Sequence, residues 1–185
     1  MAILQDGSAS TTQQKIRKVL ALVVGGSPVG LTLAMDIASH GVETIVLEQR
    51  AAMEAPDPRC NHVSARTMEV FRRLGFAEKV RNTGLPADYP HDVSYITSLF
   101  GYELGRVKIP SRANRFNDAG YADGGWPTPE PPHRINQSFM EPVLFKHASE
   151  NFEKLTIISN FEVTDVNPMG DKVYVTGTDL VTGKA

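Results

Sequence analysis

Residues 19–31, Val-Leu-Ala-Leu-Val-Val-Gly-Gly-Ser-Pro-Val-Gly-Leu, constrain this chain more than any other stretch. Residues 19–24 are apolar without alternation, so they read as a strand buried on both faces. A glycine-rich turn follows. Leu31, Leu33, Ala34, Ile37 and Ala38 then recur at helical spacing up to His40-Gly41. Ser27 is placed to cap this helix, and Pro28 sits at its first position, where a missing N–H costs nothing. Gly41 suits the left-handed residue that ends it. A second strand over residues 43–48 ends in Glu48. Strand, tight turn, helix, strand and terminal acid make a βαβ unit with the dinucleotide-binding pattern. The pattern has one departure: Ser27 stands where its middle glycine belongs.

The chemistry follows from that geometry. A helix starting near Ser27 points unpaired N–H groups and the positive end of its dipole at the turn, where a pyrophosphate docks. Gly25 makes the turn and Gly30 lets helix and strand approach, so Gly25, Ser27, Pro28, Val29 and Gly30 are the candidate phosphate cradle. Ser27 adds a Cβ and a hydroxyl, the latter able to cap the helix or to donate to a phosphate. Glu48, with Gln49 beside it, lies where the pattern places a ribose-binding carboxylate. An acid there repels a 2′-phosphate, which favours FAD or NAD over NADP at this site.

Composition excludes several other classes. The 185 residues suffice for a domain with a core, and a net charge of −2 leaves no nucleic-acid footprint. The one cysteine, Cys60, allows no internal disulfide and suits a reducing compartment. No run approaches the roughly 20 apolar residues of a membrane span, and residues 1–14 lack the apolar core of a signal peptide. A cytoplasmic protein with a disordered tail over residues 1–17 is expected. His40, His62, His91, His133 and His147 show no metal-ligand spacing and read as surface or turn histidines, and no catalytic triad or metal site is assigned.

Beyond the βαβ unit, residues 49–63 read as a loop. A helix is expected from Ser64 to Leu74 with Met68, Phe71 and Leu74 on its apolar stripe, then a short helix over 77–81. Residues 93–99 and 102–109 look like a hairpin. Residues 110–132 form a long Pro- and Gly-rich connection holding Trp126, which either borders a pocket or anchors the loop. Ser138-Phe139-Met140-Glu141 reads as a capping box opening a helix to about Glu150. Residues 155–159 read as a strand, and 161–166 and 173–178 as a second hairpin.

Three later stretches narrow the reading. Pro58-Arg59-Cys60-Asn61-His62-Val63-Ser64-Ala65-Arg66-Thr67-Met68-Glu69-Val70-Phe71-Arg72-Arg73-Leu74-Gly75, then Gly84-Leu85-Pro86, then residues 135–144 from Ile135-Asn136-Gln137 onward, stand together with the glycine turn. In these the chain resembles the single-component FAD-dependent aromatic hydroxylases, such as the para-hydroxybenzoate, phenol and 2,4-dichlorophenol hydroxylases. The resemblance covers roughly residues 19–180. It implies FAD as cofactor, NAD(P)H as electron donor and a small phenol-like aromatic substrate hydroxylated with O₂. It implies that Gly25, Ser27 and Gly30 hold the FAD pyrophosphate and Glu48 the adenosine ribose. It also implies that Arg59 and Gln137 contact the flavin side, with Cys60, Asn61 and His62 near the isoalloxazine edge. Arg66 reads as a helix-surface or loop-bracing residue.

The expected fold class is α/β: a Rossmann-like FAD-binding βαβ with a mainly parallel sheet plus β-hairpin or meander insertions, incomplete at the C-terminus. Residues 18–185 are expected to form the N-terminal part of an FAD-binding domain, with a substrate-domain-like insertion beginning near 88–133. The family's downstream Asp-Gly and Gly-Asp segments have no counterpart here, since Asp6-Gly7 lies in the tail and Gly170-Asp171 reads as a hairpin turn. The chain alone is therefore expected to bind FAD weakly and to be inactive. Two other readings stand beside this one: an NAD-dependent dehydrogenase or reductase sharing only the βαβ unit, and a non-catalytic nucleotide-binding fragment.

Overall fold

A computed structural model describes residues 2–6, 17–54, 56, 59–115 and 128–184. In chain order the elements are β1 (Ala2–Asp6), β2 (Arg17–Val19), β3 (Ala21–Val24), α1 (Pro28–Ser39), β4 (Thr44–Leu47), β5 (His62–Val63), α2 (Ala65–Arg73) and α3 (Ala77–Thr83). Then follow β6 (Val93–Ile96), β7 (Glu103–Val107), β8 (His133–Arg134), α4 (Gln137–Asn151), β9 (Leu155–Ile158), β10 (Phe161–Met169) and β11 (Lys172–Asp179). The chain divides into two units, residues 1–56 with 141–185, and residues 57–140.

The first unit contains the expected βαβ. β3, β4 and β9 form a parallel sheet in the order β3-β4-β9, with Ala21 opposite Thr44 and Leu47 opposite Ile158. All four residues of the central β4 are buried, as a parallel strand flanked on both sides requires. α1 covers the sheet with Leu31, Ala34, Met35 and Ala38. Met35, rather than the expected Leu33, completes this stripe, because the 31/34/35/38 spacing keeps to one face and Leu33 falls outside it.

The apolar run 19–24 is two strands, not one. Leu20 is a bend between β2 and β3, and the two pieces serve different sheets. β3 pairs with β4, whereas β2 pairs antiparallel with β1, which in turn runs parallel to β11. Composition pointed to a loose tail over residues 1–17, yet residues 2–6 form β1 and residue 17 opens β2. The strand β11 offers its pairing groups to Ala2-Ile3-Leu4, a local apolar run outweighed in the composition by the polar residues after it. Residues 7–16 lie outside the described residues. The hairpin of β10 and β11 forms as expected and turns at Gly170, whose φ of 63° is left-handed. Val19, Ile45, Leu47, Phe161 and Val175 pack into a common core.

In the second unit, Ser64 caps α2 by accepting from the Thr67 N–H at 3.2 Å. Met68 and Phe71 are buried, and the Phe71 and Phe76 rings meet at 4.5 Å. β5 arises within the expected 49–63 loop, because its two residues pair antiparallel with β8. β6 and β7 form the expected hairpin. Trp126 and the rest of 116–127 lie outside the described residues. No helix among the described residues is long and apolar enough to cross a membrane.

Candidate functional site: the glycine turn and the Arg59–Gln137 bracket

The turn between β3 and α1 is set by backbone constraints. Gly25 adopts φ 100° and donates its N–H to Leu47 O at 2.8 Å. A Cβ on Gly30 would lie 1.9 Å from Gly25 O, so only glycine permits this approach of helix to turn. The first turn of α1 has no intrahelical acceptors for its N–H groups, and Pro28 at its start contributes none to satisfy.

Ser27 has N-cap geometry, with φ −71° and ψ 174°, and its carbonyl accepts from Leu31 N. Its hydroxyl makes no capping bond, contrary to the expected cap. The side chain is exposed, so this hydroxyl is left for a ligand. Val29 beside it is also exposed.

Glu48 closes the turn from the other side. It is 8% exposed. Its Oε2 accepts from Gly26 N–H at 2.5 Å, while Oε1 accepts from the Arg50 N–H at 2.9 Å and from Arg50 Nε at 3.0 Å. Arg50 Nη1 reaches on to Glu141 Oε2 at 2.9 Å. Burial pushes the Glu48 carboxyl up, but the side-chain and backbone hydrogen bonds from Arg50 and that from Gly26 together hold it below the usual carboxylate value. Glu48 is thus anionic and largely engaged, with lone-pair capacity left toward a recess of about 20 Å³ that Gly26 and Arg50 also line. Gln49 is exposed. Sequence reasoning missed Arg50 and Glu141: Arg50 follows Glu48 by two residues and was legible, whereas Glu141 is brought there only by the fold. Substituting Glu48 by Gln should cost about 2 kcal/mol in urea unfolding, since an amide cannot accept from both Gly26 and Arg50. A loss below about 0.5 kcal/mol would show that the carboxylate does not hold the turn.

In the second unit, two residues 78 positions apart meet directly. Gln137 Oε1 accepts from the Arg59 N–H at 3.0 Å, and Gln137 N–H donates to Cys60 O at 3.1 Å. Ile135 N–H donates to Asn61 O at 3.2 Å, and His62–Val63 pairs with His133–Arg134, so residues 59–63 run antiparallel to 133–137. Arg59, Cys60, Asn61 and His62 are exposed along this bracket. Arg66 is a helix-surface residue reaching Glu69 at 3.4 Å.

Two expectations change here. The capping residue of α4 is Asn136, not Ser138: Asn136 Oδ1 accepts from Ser138 N–H at 2.9 Å and its carbonyl from Met140 N–H at 3.1 Å. Starting two residues earlier places Gln137 in the first turn and frees Glu141 to pair with Arg50. Of the five histidines, His91, His133 and His147 are buried rather than on the surface. Packing in a folded core, which spacing alone does not report, puts them there.

Residues 18–185 match the FAD binding domain family, and the chain belongs to it. FAD is the cofactor of that family. The FAD-dependent monooxygenase apdD of Emericella nidulans is 33% identical over 132 residues, 70% of this chain and 21% of apdD. Phenol 2-monooxygenase of Pseudomonas sp. (strain EST1001) is 29% identical over 151 residues, 80% of this chain and 24% of that enzyme. Among solved structures, the rebeccamycin biosynthetic enzyme RebC with reduced flavin superimposes with a TM-score of 0.73 at 31% identity, over 89% of this chain and 30% of RebC. The chain thus spans 21% to 24% of these two curated relatives. The turn fits the cofactor: an unspent Ser27 hydroxyl, a left-handed Gly25 and a Gly30 without room for a Cβ leave the start of α1 open to a pyrophosphate.

Proposed function

We infer that the chain is the FAD-binding portion of a flavoprotein monooxygenase that hydroxylates a phenol-like aromatic substrate with NAD(P)H and O₂. Bound FAD supplies the redox and oxygen chemistry. In this reading Gly25, Ser27, Pro28, Val29 and Gly30 hold the pyrophosphate against the N-terminus of α1. Glu48, with Gln49 beside it, accepts from the adenosine ribose, and Arg59 and Gln137 serve the flavin side. The observation that carries the reading is the direct bond between Arg59 and Gln137. A bare βαβ unit gives no reason for those two residues to meet, which disfavours the NAD-dependent dehydrogenase.

The 185-residue chain by itself should bind FAD weakly and couple no NAD(P)H oxidation to hydroxylation. Supporting this, β3 lies at an edge of its sheet, and Leu20 and Val24 beside the turn are exposed by 69% and 55%. Flavin fluorescence titration and product analysis with phenol test it. Weak FAD binding without product is expected. A colourless protein that binds NADH and not FAD would overturn the reading. Ser27→Gly should weaken FAD binding about 10-fold, the worth of one charge-assisted hydrogen bond. Unchanged or tighter binding would show instead that the Ser27 Cβ crowds the pyrophosphate.

A further inference from the structure

The second unit contains a cavity of about 490 Å³, in the range of small-molecule sites. Its apolar lining includes Leu85, Tyr89 and Phe139, and its polar lining includes Asp92, Arg106 and Arg134. The three apolar side chains are 40%, 45% and 62% exposed, a large uncovered apolar and aromatic surface around one concavity.

The charges on the wall do not cancel. Asp92 is spent: its carboxylate accepts from Arg106 Nη1 at 3.2 Å and from Ile109 N–H at 3.0 Å. Arg106 is held as well by Glu103 at 2.6 Å. Arg134 is different. Its Nη1 reaches Asn61 Oδ1 only at 3.4 Å, its Nη2 meets His91 O at 3.2 Å, and its buried Nε has no acceptor among the described residues. No carboxylate pairs with Arg134 among the described residues. The surroundings are also cationic: burial first, then the charge of Arg134 and of neighbouring arginines, pushes His91 down to about 4. A guanidinium with neutral acceptors only, beside an open aromatic wall, lacks an anion.

We propose that this cavity binds a small aromatic carboxylate, its ring against Tyr89, Phe139 and Leu85 and its anionic group on Arg134. As a binding site the cavity is inferred from no flavin contact; as the site of the substrate it rests on the monooxygenase reading above.

The test is calorimetric titration of the 185-residue chain, without FAD, with benzoate and with its neutral isostere benzamide. Benzoate should bind at least 10-fold more tightly, and raising the salt should narrow the difference. Arg134→Gln should abolish the preference, and Arg134→Lys should keep part of it. Phe139→Ala should weaken both ligands alike. Equal affinity of the unaltered chain for benzoate and benzamide would overturn the proposal without any variant. So would a benzoate preference that survives Arg134→Gln, since the anion would then sit elsewhere. Flavin titration of the same preparation separates the two readings. FAD binding without a benzoate preference removes this inference alone, and a benzoate preference without FAD binding removes the flavin reading alone.

Discussion

Gly30→Ala should destabilise the first unit by about 3 kcal/mol and abolish measurable FAD binding. The added Cβ would meet Gly25 O at 1.9 Å and Gly25 C at 3.1 Å, and both are backbone atoms. Neither can step aside cheaply, because Gly25 is fixed by its N–H bond to Leu47 O and by a φ of 100° that resists change. The helix must move away from the strand, which opens the same turn that we propose holds the pyrophosphate. Gly41→Ala is the matched control. Gly41 also has positive φ, at 80°, but a Cβ there meets nothing within 4 Å. Strain alone should cost it about 1–2 kcal/mol and leave FAD affinity unchanged. Urea unfolding and flavin titration of the two variants separate crowding from strain. Equal losses in both would refute the claim that helix–turn approach selects glycine at position 30.

The second unit should weaken between pH 6.5 and pH 4. His91 and His133 are buried, and His91 Nδ1 and His133 Nε2 have no hydrogen-bond partner among the described residues. Burial, and after it the nearby guanidinium groups, hold both imidazoles at about 4, below the ordinary 6.5. Arg81 and Arg112 act on both, and Arg134 acts on His91. Glu130 accepts from Arg81 at 2.5 Å and so does not face either ring as a free charge. In the folded chain both rings stay neutral between about 4 and 6.5, while in the unfolded chain they take up protons. Their neutral burial therefore costs nothing above pH 6.5, and stability falls as the pH drops through that window. At pH 5.5 the loss is about 1.4 kcal/mol for each histidine taken alone. Urea midpoints at pH 7.5 and 5.5, with hydrogen exchange to assign the loss to residues 57–140, test this. The double variant His91→Gln, His133→Gln should lose less stability over that interval than the unaltered chain does. A flat profile in the unaltered chain would count against the assignment.

Much of the first unit was legible because its determinants are local. A glycine needed at positive φ, a proline at a helix start and an acid at a strand end each act within one or two turns of backbone. The second unit was less legible. The Ser64 cap and the Met68–Phe71 stripe could be read, but β5 within a proline-rich loop could not. Its two residues acquire strand character only by pairing with β8, His62 with Arg134 and Val63 with His133. The Asn136 cap was missed because Ser138 and Glu141 also satisfy a capping pattern. The residues around the Asn136 cap also make non-local contacts that the pattern does not report, Gln137 N–H to Cys60 O and Glu141 to Arg50. The apolar run 19–24 looked like one strand because hydropathy cannot show that the residues on either side of Leu20 have different partner strands.

By itself the sequence determined the βαβ unit and the glycine turn, since steric limits on φ and on helix–strand approach act between near neighbours. Only the tertiary structure decided how charge is disposed. It placed Arg50 between Glu48 and Glu141, brought the Arg59 N–H to Gln137, buried His91 and His133 among arginines, and left Arg134 without a carboxylate among the described residues. Electrostatic interaction depends on distance and burial, and both are set when remote parts of the chain meet. The glycine turn is written in order along the chain, whereas the charges around it and in the second unit exist only once the chain has folded.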